Sequence, residues 1–241
     1  MIKLKRVQSQ LIYVVILVAL IIIVAFLVST GELSWKDAGT AILALFSTFL
    51  GATFAFRLNE SKEQEKLAEA QKGEVNRSLF ILIRQYNALT QIKKELDKHS
   101  STFDLIINLP ALRVPNYGDL MQNLAGLDFL LSTYDPNILF NLAVEQERFE
   151  QSMEALRMRS EFYVHELQPA IELHNLNKRS VSASEFERIV GERISETAKN
   201  LTLVLKMHID ESIRSNQEVY LQLRATALQL YPNTNFLKYM P

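Results

Sequence analysis

The spacing of apolar and polar positions changes character at residue 57 of this chain. Residues 11–28 (LIYVVILVALIIIVAFLV) and 38–56 (AGTAILALFSTFLGATFAF) are two runs without a charged side chain. A helix of about 18 such residues covers a hydrocarbon core of roughly 30 Å. The first run is mostly Ile, Val and Leu, each favouring insertion by roughly 0.3–0.6 kcal/mol near the bilayer centre. The second holds more Ala, Gly, Ser and Thr, which predicts insertion beside the first. The pattern is that of a transmembrane hairpin, residues 1–57, ahead of a soluble body, residues 58–241. A cleaved signal peptide competes for the first run, given the basic start Lys3, Lys5 and Arg6. That run exceeds a signal h-region of about 7–15 residues, and no A-x-A pattern follows it.

From residue 57 the charges return. Residues 57–72 (RLNESKEQEKLAEAQK) are strong helix formers with opposite charges three and four apart. No Pro separates them from the second run. That span is predicted to continue as one rod to about Lys98, reaching roughly 60 Å beyond the bilayer at 1.5 Å per residue. Val75, Leu79, Leu82, Tyr86, Leu89 and Leu96 form an apolar stripe, broadened by Phe80, Ile83 and Ile92. Its width suits a bundle better than a two-stranded coiled coil.

The rod is predicted to end near His99. Residues 101–119 carry Pro110, Pro115 and Gly118 and read as an irregular or short-helical segment packed on the body. A helix over 119–134 follows. A longer one over 136–175 starts with Asp135 as N-cap and Pro136 in the first helical position, and kinks at Pro169. Its middle is charged: Glu145, Gln146, Glu147, Arg148 and Glu150 alternate with Phe149, Met153 and Leu156. After a turn over 175–181, Ser182 and Glu185 form a capping box that opens a last helix, stopped near Tyr231 by Pro232. The predicted fold class is all-α: the hairpin, then an antiparallel bundle of about four long cytoplasmic helices.

Charge sets the orientation. Lys3, Lys5 and Arg6 flank the first span, and Arg57, Lys62, Lys66 and Lys72 follow the second. The loop between them has Lys36 alone against Glu32 and Asp37. Lys and Arg mark cytoplasmic flanks, so both termini are predicted to be cytoplasmic, with Trp35 an interfacial anchor on the far side. The chain has no Cys, which removes disulfides and thiolate metal sites. A net charge of −1 argues against nucleic-acid binding by the chain as a whole. The absence of ionisable residues within either span argues against an ion-coupled transporter.

Catalytic motifs are missing. The four histidines, His99, His165, His174 and His208, form no HExxH and no pair at helical spacing. There is no phosphate-binding glycine loop and no G-x-S-x-G. No catalytic, cofactor-binding or metal-ligating residue is assigned, and no enzymatic activity is expected. An enzyme would need a metal or ligand assembled across helices at His165 or His174.

The second span carries the clearest pattern. Thr40, Ala44, Ser47, Thr48, Gly51 and Ala55 fall on one arc, with Ile42, Leu45, Phe46, Phe49 and Phe56 opposite. Small residues let helix backbones approach closely in lipid. This face can pack on the first span of the same chain, or against other copies in a homo-oligomer. In the body, Asn76, Phe80, Ile83 and Asn87 share a face, with Arg77 and Arg84 adjacent. Asn76, Arg84 and Asn87 are candidates for fixing the bundle's register through polar contacts, or for contacting a partner protein.

Residues 49–96 read FLGATFAFRLNESKEQEKLAEAQKGEVNRSLFILIRQYNALTQIKKEL. A small-residue span ending in GATFAF passes through a charged helix into NRSLFILIRQYNAL. This stretch, about a fifth of the chain, resembles bacterial two-span membrane proteins of the kind used as effectors of retron antiphage systems. The resemblance implies a toxin of the bacterial inner membrane, held inactive by a reverse transcriptase with its noncoding RNA and DNA hybrid. Phage interference would release it to damage the membrane and halt growth. It transfers no residue role. The competing expectation is a non-enzymatic membrane-anchored scaffold or sensor that binds a cytoplasmic protein.

Overall fold

The computed structural model describes residues 34–114 and 117–238, together with 18, 19, 21–23, 25, 26, 29 and 30. The basic flank Lys3, Lys5 and Arg6, much of the first apolar run, residues 31–33 and Pro115 lie outside them. Every regular element among the described residues is helical, and no strand occurs among them. The chain divides into two compact units, residues 1–67 and 68–241.

In the first unit the described positions from Val18 to Phe26, and Ser29, are helical. Helix α1, Trp35–Leu96, begins after them and runs without interruption. Among the described residues it is the one helix long and apolar enough to cross a membrane, and that stretch is not buried in the protein. Leu43, Phe54 and Phe56 are each about two-thirds exposed (68 %, 70 % and 68 %), and Trp35 is exposed. Contiguous exposed apolar surface of this kind marks a protein-interaction or membrane-interaction site.

The second unit is built on three long helices: the C-terminal part of α1, α3 (Asn137–Phe162) and α6 (Glu192–Leu230). The predicted stripe is the core face of α1: Val75, Leu79, Leu82, Leu89, Ile92 and Leu96 are buried. Phe80 is exposed, and Ile81 takes its place in the core. α6 runs antiparallel to both partners, as the contacts Gln85–Asn216 with Lys93–Asp210, and Asn141–Gln222 with Ser152–His208, require. α1 and α3 run parallel. Val75 to Leu82 share one apolar cluster with Ile138 and Leu142, whereas Leu89 to Leu96 share another with Phe149 to Leu156. The arrangement corrects the all-antiparallel bundle expected from sequence.

A parallel pair needs a long return, and residues 97–136 supply it. Ser101 caps the short helix α2, Thr102–Asn108, by accepting from the Asp104 N–H at 3.1 Å. Leu120 then packs in the Leu89 cluster and Leu127 and Leu130 in the Leu79 cluster, so this segment walks back along the bundle. The helix expected over 119–134 is an irregular strap followed by a 3-10 helix, Ala125–Ser132. The strap's backbone is held from outside: Gln85 donates to the Leu120 carbonyl at 3.0 Å, and the Gln122 N–H donates to Gln146 at 3.3 Å. Those bonds replace an internal helical ladder.

The helix expected over 136–175 is divided. α3 passes through a π-helical turn, Tyr163–Leu167, into α4, Gln168–Leu173. The break precedes Pro169, which has no N–H for a helical ladder. Asn175, in the left-handed region at φ 51°, ends α4. Helix α5, Ala183–Val190, opens with half of the expected capping box: Ser182 accepts from the Glu185 N–H at 3.2 Å, while the Glu185 carboxylate pairs with Arg179. The last helix is also divided, because Gly191 sits at φ 88° between α5 and α6. Only Gly adopts that region freely. α6 stops at Leu230 ahead of Pro232, as the sequence indicates.

Candidate functional site

Two places combine exposed or buried groups that simple folding does not require. The first is the small-residue face of α1. Thr40, Ala44, Ser47, Thr48, Gly51 and Ala55 are all exposed. Among the described residues nothing lies within 4 Å of a Cβ placed on Gly51. The shielded positions of this stretch are elsewhere: Ala38 is buried and Leu45, Phe49 and Thr53 are half-buried. At 3.6 residues per turn the two sets are centred about 145° apart around the helix. The shielded positions of this stretch thus lie away from the small-residue face. Its hydroxyls are suited to a dry setting. Thr40 donates to the Lys36 carbonyl at 3.1 Å and Thr48 to the Ala44 carbonyl at 2.9 Å, so neither needs water.

The second place is the interior of the body. Gln85 of α1, Glu145 of α3 and Ser212, Ser215 and Asn216 of α6 form a buried polar layer between the two apolar clusters. Ser212 and Ser215 donate to the two Glu145 carboxylate oxygens at 3.1 and 2.5 Å. Asn216 donates to Gln85 at 3.5 Å, and Gln85 to Gln146 at 3.0 Å. Glu145 is wholly buried. Burial pushes its carboxyl up to about 7, against hydrogen bonds from Ser215 and Ser212 and the field of Arg148, which pull it down.

The residues proposed from sequence as polar register contacts do not belong to this layer. Asn76 is half-buried and accepts from the Leu237 N–H at 3.0 Å, anchoring the C-terminal tail. Arg84 is on the surface, where it pairs with Asp119 at 3.0 Å and lies over the Phe80 ring at 5.9 Å. Asn87 is exposed. The buried amide of the layer on α1 is Gln85, one position from the Tyr86 assigned to the stripe. Glu145 was hidden in what reads as a solvated charged run. The signal was present: Gln85 lies three after Leu82 and four before Leu89, and Glu145 three after Leu142 and four before Phe149. Both fill core slots.

A further buried charge holds the return segment in place. Arg159 is 3 % exposed, donates to the carbonyls of Leu105 (3.2 Å), Leu109 and Pro110 (2.7 Å), and stacks on Tyr163 at 5.0 Å. Burial lowers its guanidinium to about 10. These carbonyls lie at the C-terminal end of α2, where a cation is favoured. His165 and His174 are exposed, and no cluster of three or more metal-ligating side chains occurs among the described residues.

Compared with known proteins, the chain matches no protein-family model, no curated protein and no solved structure.

Proposed function

We propose that this chain is a membrane effector of a bacterial antiviral abortive-infection system, of the retron type, which perturbs the inner membrane when its body is released. In this reading residues 11–28 and 38–56 form a hairpin through the inner membrane with both termini cytoplasmic. The observation that carries it is the exposed apolar stretch of α1 with its open small-residue face. A face that close-packs in lipid and is left uncovered suits association with further copies. The resemblance of residues 49–96 supplies the system, and with it a reverse transcriptase carrying RNA and DNA as the restraining partner.

Induced expression without partners should depolarise bacterial cells, read with a voltage-sensitive dye. A chain lacking residues 1–57 should be harmless, and toxicity from that body alone would refute the membrane mechanism. The sequence has no Cys, so Ser47→Cys introduces a single reporter. Disulfide-linked dimers should form in membranes and be lost with Gly51→Leu. The second reading, a membrane-anchored scaffold binding a cytoplasmic protein, draws on exposed Leu203, Val204 and Met207 of α6. It predicts no growth defect on induction.

A further inference from the structure

The buried polar layer of the body does something its packing does not need. Three long helices with apolar residues above and below could continue apolar through the middle. Instead the α1–α3–α6 core is cut in two at Gln85, Glu145, Ser212, Ser215 and Asn216. At its centre is a carboxylate with no exposed surface, which accepts from two hydroxyls of α6 at 3.1 and 2.5 Å and from the Asn216 side chain. A carboxylate shut away from water is tolerated far better protonated than ionised.

We propose that this layer is a proton-controlled latch on α6, closed while Glu145 carries a proton and loosened when Glu145 ionises.

Glu145 is the titratable group within the layer itself, and half-buried His208 of α6 lies one turn before Ser212, its backbone carbonyl accepting from Ser152 of α3 at 3.1 Å. α6 faces it with Ser212, Ser215 and Asn216, and α1 faces the layer with the amide of Gln85, none of which titrates. Tyr86 of α1 accepts from Gln217 of α6 at 3.1 Å. Asp210 of α6 is matched by Lys93 of α1 at 2.8 Å, and Asp119 of the return segment by Arg84 at 3.0 Å. Glu211, Arg214 and Glu218 of α6 and Glu147, Arg148 and Glu150 of α3 are exposed. Of these, Arg148 acts on Glu145 and favours its ionised form.

The direction of the response follows from linkage. Glu145 has its midpoint near 7 in the closed bundle and near the ordinary 4.5 once opened. Between those values the closed state holds a proton that the open state has lost, so stability falls as pH rises and levels off above about 7. With these midpoints, opening becomes about tenfold more frequent between pH 6 and pH 8. The latch is local to the body and does not rest on the reading of the apolar segment.

The test is hydrogen exchange of the full chain in detergent micelles near pH 6 and near pH 8, corrected for intrinsic exchange rates, followed over residues 205–223. Opening in the unmodified chain should rise about tenfold across that interval. Glu145→Gln should keep the protection and lose the pH dependence. Ser215→Ala removes a donor that favours the ionised form and should move the midpoint to higher pH. A flat profile in the unmodified chain, or an unchanged slope in a folded Glu145→Gln chain, overturns the proposal. Should Glu145→Gln not fold, Ser215→Ala decides: an upward shift supports the latch, and an unmoved or lowered midpoint overturns it.

Discussion

Arg159→Met tests whether a buried cation, rather than apolar contact, fixes the return segment on the bundle. The guanidinium donates to three carbonyls, at Leu105, Leu109 and Pro110. Hydrogen bonds from a charged donor contribute about 1.5–3 kcal/mol each, or roughly 5–9 kcal/mol for three. Against this stands the burial of the charge. A guanidinium lowered by burial from its ordinary value to about 10 has lost roughly 3 kcal/mol of preference for its charged form. Met keeps an unbranched apolar stem and removes both contributions, leaving the three carbonyls without this donor. The expected loss is therefore about 2–6 kcal/mol. Arg159→Lys keeps the charge without the planar fork and should recover only part of it. Denaturant unfolding of the full chain in micelles, followed by far-ultraviolet circular dichroism, measures the difference. Hydrogen exchange should locate the first loss of protection at α2 and residues 109–114. A change below about 1 kcal/mol for Arg159→Met would mean that the carbonyls find other donors, and the reasoning would fail.

Other substitutions separate strong constraints from decorative ones. Gly191→Ala meets open space but forces an L side chain to φ 88°, so it should lower stability by roughly 1–2 kcal/mol, read as a fall in thermal midpoint. Lys93→Gln breaks a bridge to Asp210 between two partly exposed groups and should cost under about 1 kcal/mol in the same assay. The pH dependence assigned to Glu145 should reappear in denaturant unfolding as a loss of about 1 kcal/mol from pH 6 to pH 8, absent in Glu145→Gln.

How much of this could be read from sequence depended on whether a local signal had a competitor. The apolar stretch of α1 and its continuation through residues 57–96 were legible because no Pro and no apolar–polar conflict interrupts them. The core face at Val75, Leu79, Leu82 and Leu89 was legible for the same reason. The return segment was not, since its backbone bonds go to Gln85, Gln146, Ser160 and Arg159, residues distant in sequence. A run such as residues 119–134 has helical composition, and bonds to the distant side chains of Gln85 and Gln146 hold its first part in an irregular strap. The division at Gly191 was missed because one Gly inside a helical pattern usually costs only about 1 kcal/mol and is tolerated. The polar layer was missed at two positions: placing Tyr86 in the stripe hid Gln85, and the charged run over residues 145–150 hid Glu145, although both occupy core slots. The small face was legible as a pattern, but which partner it leaves uncovered depended on which face of α1 is shielded.

The C-terminal tail presents the opposite balance to Arg159. After α6 the chain folds back on α1: Tyr231 donates to Gln71 at 2.5 Å, and the Leu237 N–H to Asn76 at 3.0 Å. Tyr220 donates to the Leu237 carbonyl at 2.8 Å, and Phe236 is 5 % exposed against the cluster of Val75 and Leu79. Burying Phe236 contributes about 2–3 kcal/mol, and the two bonds at Leu237 about 1 kcal/mol each. Ordering the residues from Pro232 to Leu237 costs roughly 1 kcal/mol each, about 6 kcal/mol together. The sum lies within about 2 kcal/mol of zero, so the tail should open while the bundle stays folded. The Leu237 amide should exchange far faster than those of buried Leu205 or Leu223, and Asn76→Ala should speed it further without moving the global transition. Ending the chain after Tyr231 should change global stability by less than about 2 kcal/mol. If Leu237 exchanged only through global unfolding, the tail would belong to the core, and this balance of burial against ordering would be wrong.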